Sequence, residues 1–169
     1  MSDATEYQEN LREAERFFLY NKHGFLFAGS NDALVQHNLN SSLQQLLRGK
    51  GKTLLTYTWD TNPEALHPVK QLRQFQQNHP ELNGLILNGI EPALEHNPNF
   101  LVQLNFGREG LAELGIPLLF WVSSRTLQRV NREALDLYNQ RVSANLYFQH
   151  DPTLQQSDSS ALRYIAQET

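Results

Sequence analysis

The chain contains no cysteine. That absence removes a disulfide framework, a thiolate metal site and a cysteine nucleophile together. Charge is sparse as well: Asp, Glu, Lys and Arg make up 19% of the 169 residues, the formal net charge is -4, and no long basic run occurs. A nucleic-acid partner therefore has no electrostatic footprint. No apolar run approaches the ~18 residues that a membrane span requires. The opening Met1-Ser2-Asp3-Ala4-Thr5-Glu6 is polar and acidic where a secretory signal is basic and then apolar. These absences lead to the expectation of a cytoplasmic protein without a nucleic-acid or membrane partner. The histidines His23, His37, His67, His79, His96 and His150 form no His-x-x-x-His or His-Glu-x-x-His pattern, and no Gly-x-Ser-x-Gly elbow is present. Zinc chemistry and a hydrolase serine thus lack their usual signatures.

What is present is a core. Hydrophobic residues make up 40% of the sequence, enough for one full domain, expected over residues 1–150. Tyr7, Leu11, Ala14 and Phe18 recur at helical spacing, predicting a helix from Glu6 to about Tyr20. Phe25 to Gly29 reads as a strand. Ser30-Asn31-Asp32 then supplies caps for a helix with Val35, Leu39, Leu43 and Leu46 on its inner face. Thr53 to Trp59 is rich in leucine, β-branched and aromatic residues, as a second strand requires. The helix after it carries Val69, Leu72 and Phe75 inward, with Gln71, Gln74, Gln76 and Gln77 on the wet side.

Gly84 to Ile90 is the third strand, followed by a loop from Pro92 through Asn97-Pro98-Asn99. Phe100, Leu101, Leu104, Leu111 and Leu114 predict one long helix ending at Gly115, interrupted by the weak helix formers Gly107 and Gly110. Pro117 to Val122 is nearly all apolar, the mark of a strand covered on both faces. Leu127, Val130, Ala134 and Leu137 outline a further helix, and Asn145 to Gln149 a fifth strand. Residues 151–169 read as a linker-like tail with a short helix over Ala161 to Gln167. Strands alternating with helices imply an α/β fold, three-layer αβα, around a mainly parallel five-stranded sheet.

Ligands of such sheets sit beyond the carboxyl ends of the strands. The polar residues delivered there are Asn31, Asp32, Asp60, Asn88, Glu91, Ser124 and Arg125, which together form the candidate site. Gly49-Lys50-Gly51-Lys52-Thr53 ends like a phosphate loop, but the motif's first glycine would fall where Leu46 stands. It also joins a helix to a strand rather than a strand to a helix, so it reads as a solvated turn. After the first strand, where a phosphate loop belongs, there is no lysine, and Asp32 would repel an anion. Asn88 is neutral where a hydrated magnesium would want an aspartate. Arg125 is a candidate to bind an anion or to pair with Glu91 or Asp60. No catalytic residue, metal ligand or cofactor is assigned.

Three segments carry a family resemblance. They are Leu82-Asn83-Gly84-Leu85-Ile86-Leu87-Asn88-Gly89-Ile90-Glu91, then Leu101 to Leu111 leading into Gly115-Ile116-Pro117-Leu118-Leu119-Phe120-Trp121-Val122, and Arg132 to Tyr138 with Arg141 and Phe148 beyond. In this order they resemble the degenerate P-loop NTPase-like domains, related to STAND and AAA-type ATPases, of bacterial multidomain proteins, often placed ahead of tetratricopeptide repeats. The first segment resembles the family's Walker B strand. The resemblance covers roughly residues 10–150 and implies the fold, with the Walker A lysine lacking, but no catalytic residue. It implies a non-catalytic regulatory or scaffolding module in bacterial signalling or defence, with a protein partner, a fused repeat domain or a homo-oligomer as the expected contact. The alternative is a metal-dependent nucleotide- or phosphodiester-processing enzyme using Asp60 and Glu91.

Overall fold

A computed structural model describes residues 3–148. The elements follow in the order α1 (Asp3–Tyr20), β1 (Gly24–Gly29), α2 (Ala33–Arg48), β2 (Leu54–Thr58), α3 (Pro68–Asn78), β3 (Gly84–Asn88) and α4 (Ile90–His96). They continue with α5 (Phe100–Phe106), α6 (Arg108–Glu113), β4 (Pro117–Val122), α7 (Ser124–Glu133), α8 (Leu135–Asn139) and β5 (Leu146–Tyr147). The five strands form one parallel sheet in the order β2-β3-β4-β1-β5.

Strand side chains alternate between the two faces, and the apolar strands divide accordingly. Leu26, Ala28, Ile86, Leu119 and Trp121 enter a core with Ala14, Phe17 and Phe18 of α1 and Val35, Leu39 and Leu43 of α2. Phe25, Phe27, Leu85, Leu87, Leu118, Phe120 and Val122 enter the other, beneath α3 to α8. Both faces are covered, as the uninterrupted apolar run of β4 predicts. Two glycines are required by this packing. A Cβ on Gly84 would lie 2.6 Å from the Phe18 ring, so α1 could not approach the sheet, and Gly89 turns the chain out of β3 at φ +92°.

Connections that run in opposite directions along a sheet must cross on opposite faces if all share one hand. The chain leaves β1 over the α1–α2 face to reach β2 at the far edge. It then returns through β3 and β4, and later reaches β5, over the face of α3 to α8. The directions reverse between the adjacent strands β1 and β4, and the carboxyl ends of these two strands are the crevice where such sheets bind ligands.

Several expected boundaries move. The strand from Gly84 stops at Asn88, and Ile90–His96 is a helix where a loop was expected, because Pro92 falls in its first turn, which a proline tolerates. The long helix is divided at Gly107 into α5 and α6, and the next is divided at Ala134 into α7 and α8. Leu46 is 40% exposed, and Leu47 takes the inner position assigned to it. Gln71 is 7% exposed rather than on the wet side. Gln149 and the expected helix over Ala161 to Gln167 lie outside the described residues. Among those described, no helix is long and apolar enough to cross a membrane.

Candidate functional site

The crevice begins where β1 ends. Ser30 extends the β1–β4 pairing, its N–H donating to the Val122 carbonyl at 3.1 Å. Its hydroxyl then accepts from the Asp32 N–H at 3.1 Å, which turns the chain into α2. The Asp32 carboxylate accepts from the Leu34 N–H at 2.9 Å, taking one of the free donors in the first turn of α2. A phosphate placed there would meet an acid already bonded to the helix amide.

Across the crevice, the start of α7 is filled from three directions. Ser123 caps the helix, its Oγ accepting from the Thr126 N–H at 3.1 Å. The Ser124 N–H donates to Asn31 Oδ1 at 3.2 Å, a bond that ties the end of β1 to the helix after β4. The Ser123 N–H donates to Glu91 Oε1 at 2.7 Å, a bond from the segment after β3. A carboxylate at a helix N-terminus is stabilised by the helix dipole and by the charged hydrogen bond. The crevice is thus lined by carboxylates of the chain itself, Asp32 at α2 and Glu91 at α7.

Of the seven predicted site residues, Asn31, Asp32, Glu91 and Ser124 are thus used in closing the strand ends. Asn88 sits just before them; its carbonyl accepts from the Trp59 N–H at 3.3 Å, while its buried Oδ1 has no partner among the described residues. Arg125 is exposed in the first turn of α7 and pairs with neither Glu91 nor Asp60.

Asp60 belongs to a different place. It lines a groove of about 470 Å³ between the β2–α3 connection and helices α4 and α5, together with His67, Gln71, His96, Asn97 and Phe100. Glu91 does not line it. Asp60 Oδ1 accepts from the Asn62 N–H at 2.9 Å, and its own N–H donates to Gln71 Oε1 at 3.0 Å. Gln71 also accepts from the Tyr57 hydroxyl at 2.8 Å and donates to the Leu66 carbonyl at 2.7 Å, so one buried amide holds the whole connection. Burial, and then the Asp60 charge, raise the Tyr57 pKa above its ordinary value.

The two histidines of the groove use Nδ1 in opposite ways. His67 Nδ1 accepts from the Val69 N–H at 3.2 Å as the cap of α3, which leaves the proton on Nε2. His96 Nδ1 lies 3.0 Å from the Pro92 carbonyl, an acceptor, and so donates to it. Desolvation, and then nearby Lys70, lower the His67 pKa and keep its ring neutral. Among the described residues no three His, Asp or Glu side chains come together as a metal site.

Neither Gln71 nor His67 was singled out from the sequence. His67-Pro68 does carry a signal, since a side-chain cap followed by proline at the first helical position starts a helix. Gln71 shares the helical stripe of Pro68, Leu72 and Phe75, but its partners depend on how β2, the connection and α3 meet. Neither a known protein family nor a curated protein matches the chain.

Proposed function

We propose that the chain is a non-catalytic regulatory or scaffolding module, built on a degenerate P-loop NTPase-like domain and acting through protein contacts in bacterial signalling or defence. One observation carries the reading: the chain's own side chains occupy the backbone donors of the β1–β4 crevice. Asp32 holds Leu34 N–H, Asn31 holds Ser124 N–H, and Glu91 holds Ser123 N–H. Two acids stand where a triphosphate would need donors and cations. The resemblance of Leu82 to Glu91 and of Leu101 to Val122 to degenerate members of that family supports the same reading, and supplies the signalling or defence setting.

The test is calorimetric titration of the protein with magnesium-ATP and magnesium-GTP. No heat of binding is expected up to millimolar nucleotide. Micromolar binding that disappears in Glu91→Ala would overturn the proposal.

A further inference from the structure

The two edges of the sheet are finished differently. At β5 the edge is two residues long, and Asn10 Nδ2 donates to the Tyr147 carbonyl at 2.9 Å, covering it from α1. At β2 the edge is five residues long, and Leu54-Leu55-Thr56-Tyr57-Thr58 carries no charge and no proline, the usual protections of an open edge. The inner bonds of β2 are marked by the Asn83 N–H on the Thr53 carbonyl and the Trp59 N–H on the Asn88 carbonyl. Odd-numbered residues therefore face β3, and the backbone groups of Leu54, Thr56 and Thr58 face outward. Thr56 and Thr58 are exposed, and Leu55 and Tyr57 are half-buried. Gln44 Nε2 donates to the Leu54 carbonyl at 3.2 Å, and a carbonyl can accept a second bond.

We infer that β2 is a homodimerisation edge, pairing antiparallel with β2 of a second copy across a twofold axis at Thr56. The strand is complementary to itself in that register. Thr56 meets Thr56 of the second copy, Leu54 meets Thr58, and about six backbone hydrogen bonds form between the outward groups. On the α3 face, half-buried Leu55 covers Tyr57 of the second copy, and the converse. Just beyond the strand, exposed Lys52 falls opposite exposed Asp60, once at each end, so the flanking charges match in this register. The result is one continuous ten-stranded sheet across two copies. This inference is independent of what the strand-end crevice binds.

The experiment is sedimentation velocity and light scattering on the full chain over a range of concentrations. The expected mass at high concentration is twice the 19.5 kDa of one chain. Lys52→Glu and Asp60→Lys should each raise the dimer Kd roughly tenfold, because each places like charges at both ends of the pairing. An equimolar mixture of the two variants should recover wild-type association, since the mixed dimer has opposite charges at both ends. Asp60 also anchors a turn through the Asn62 N–H, so Thr56→Pro is a second probe. It removes an outward N–H without touching the β3 ladder, and should leave a folded monomer by circular dichroism. Single-chain mass up to about 1 mM, a dimer indifferent to Lys52→Glu or Thr56→Pro, or a failure of the mixture to recover association would each overturn the inference.

Discussion

Replacing Gln71 by methionine keeps the volume of a side chain that is 7% exposed and removes its amide. Three bonds go with it: from the Tyr57 hydroxyl, from the Asp60 N–H and to the Leu66 carbonyl. At ~1 kcal/mol for each neutral hydrogen bond the sum is about 3 kcal/mol. Tyr57 is half-buried and Leu66 is exposed, so water can replace part of that loss, and about 2 kcal/mol is expected. For a chain of this length that is a fall in Tm of roughly 4–8 °C. Urea denaturation should show a lower midpoint at unchanged slope, since the surface exposed on unfolding is the same. A mutant cycle assigns the loss. Tyr57→Phe should cost about 1 kcal/mol in the wild type and much less beside Gln71→Met, because its partner is already gone. A loss below about 0.5 kcal/mol for Gln71→Met, within the range of an ordinary surface substitution, would refute the claim that this amide organises the β2–α3 connection.

Two further outcomes follow from the bonds that cap α7 and α3. Glu91→Ala should destabilise by about 1–2 kcal/mol, since it removes a charged bond at 2.7 Å from the start of α7; an unchanged denaturation midpoint would show that Ser123 N–H does not depend on it. His67 has a lowered pKa in the fold, so near pH 6 the unfolded chain binds more protons than the folded one, and stability should fall as pH drops through the ordinary histidine range. His67→Asn keeps an acceptor for the Val69 N–H without titrating, and should flatten that slope in denaturation curves between about pH 5 and 7; an equal slope in both proteins would count against the cap.

The layers of the fold were legible because each strand announces itself by length and apolarity, and each major helix by spacing. Pro117 to Val122 could be read as buried on both faces from composition alone, and the structure has it so. Of the two breaks within helices, the one at Gly107 has a local signal in a weak helix former, whereas alanine, the strongest helix former, gives no warning of the break at Ala134. Ile90–His96 was missed because Pro92 looks like a loop residue unless its place in the first turn is known. Gln71 was assigned to the wet side by its polarity, although it falls three residues after Pro68 and four before Phe75, on the inward stripe where the structure buries it.

The candidate site divides along the same line. That Asn31, Asp32, Glu91 and Ser124 lie beyond strand ends follows from the order of elements. That Asn31 and Glu91 converge on successive amides of α7 depends on β4 lying between β1 and β3, and strand order across a sheet is not written in any local pattern. Asp60 follows a strand end as well, but β2 is an edge strand, and its end opens on the groove with His67 and His96 instead.

The position of β4 also bears on how the protein is made. β4 is the strand that joins β3 to β1, yet it is the fourth of the five to leave the ribosome. Until residues 117–122 are made, β1 and β3 lack the strand that each pairs with in the sheet. At ~5–20 residues per second, the nascent chain spends several seconds in that condition. The five-stranded sheet therefore cannot close before this one six-residue segment is made, however early its neighbours appear.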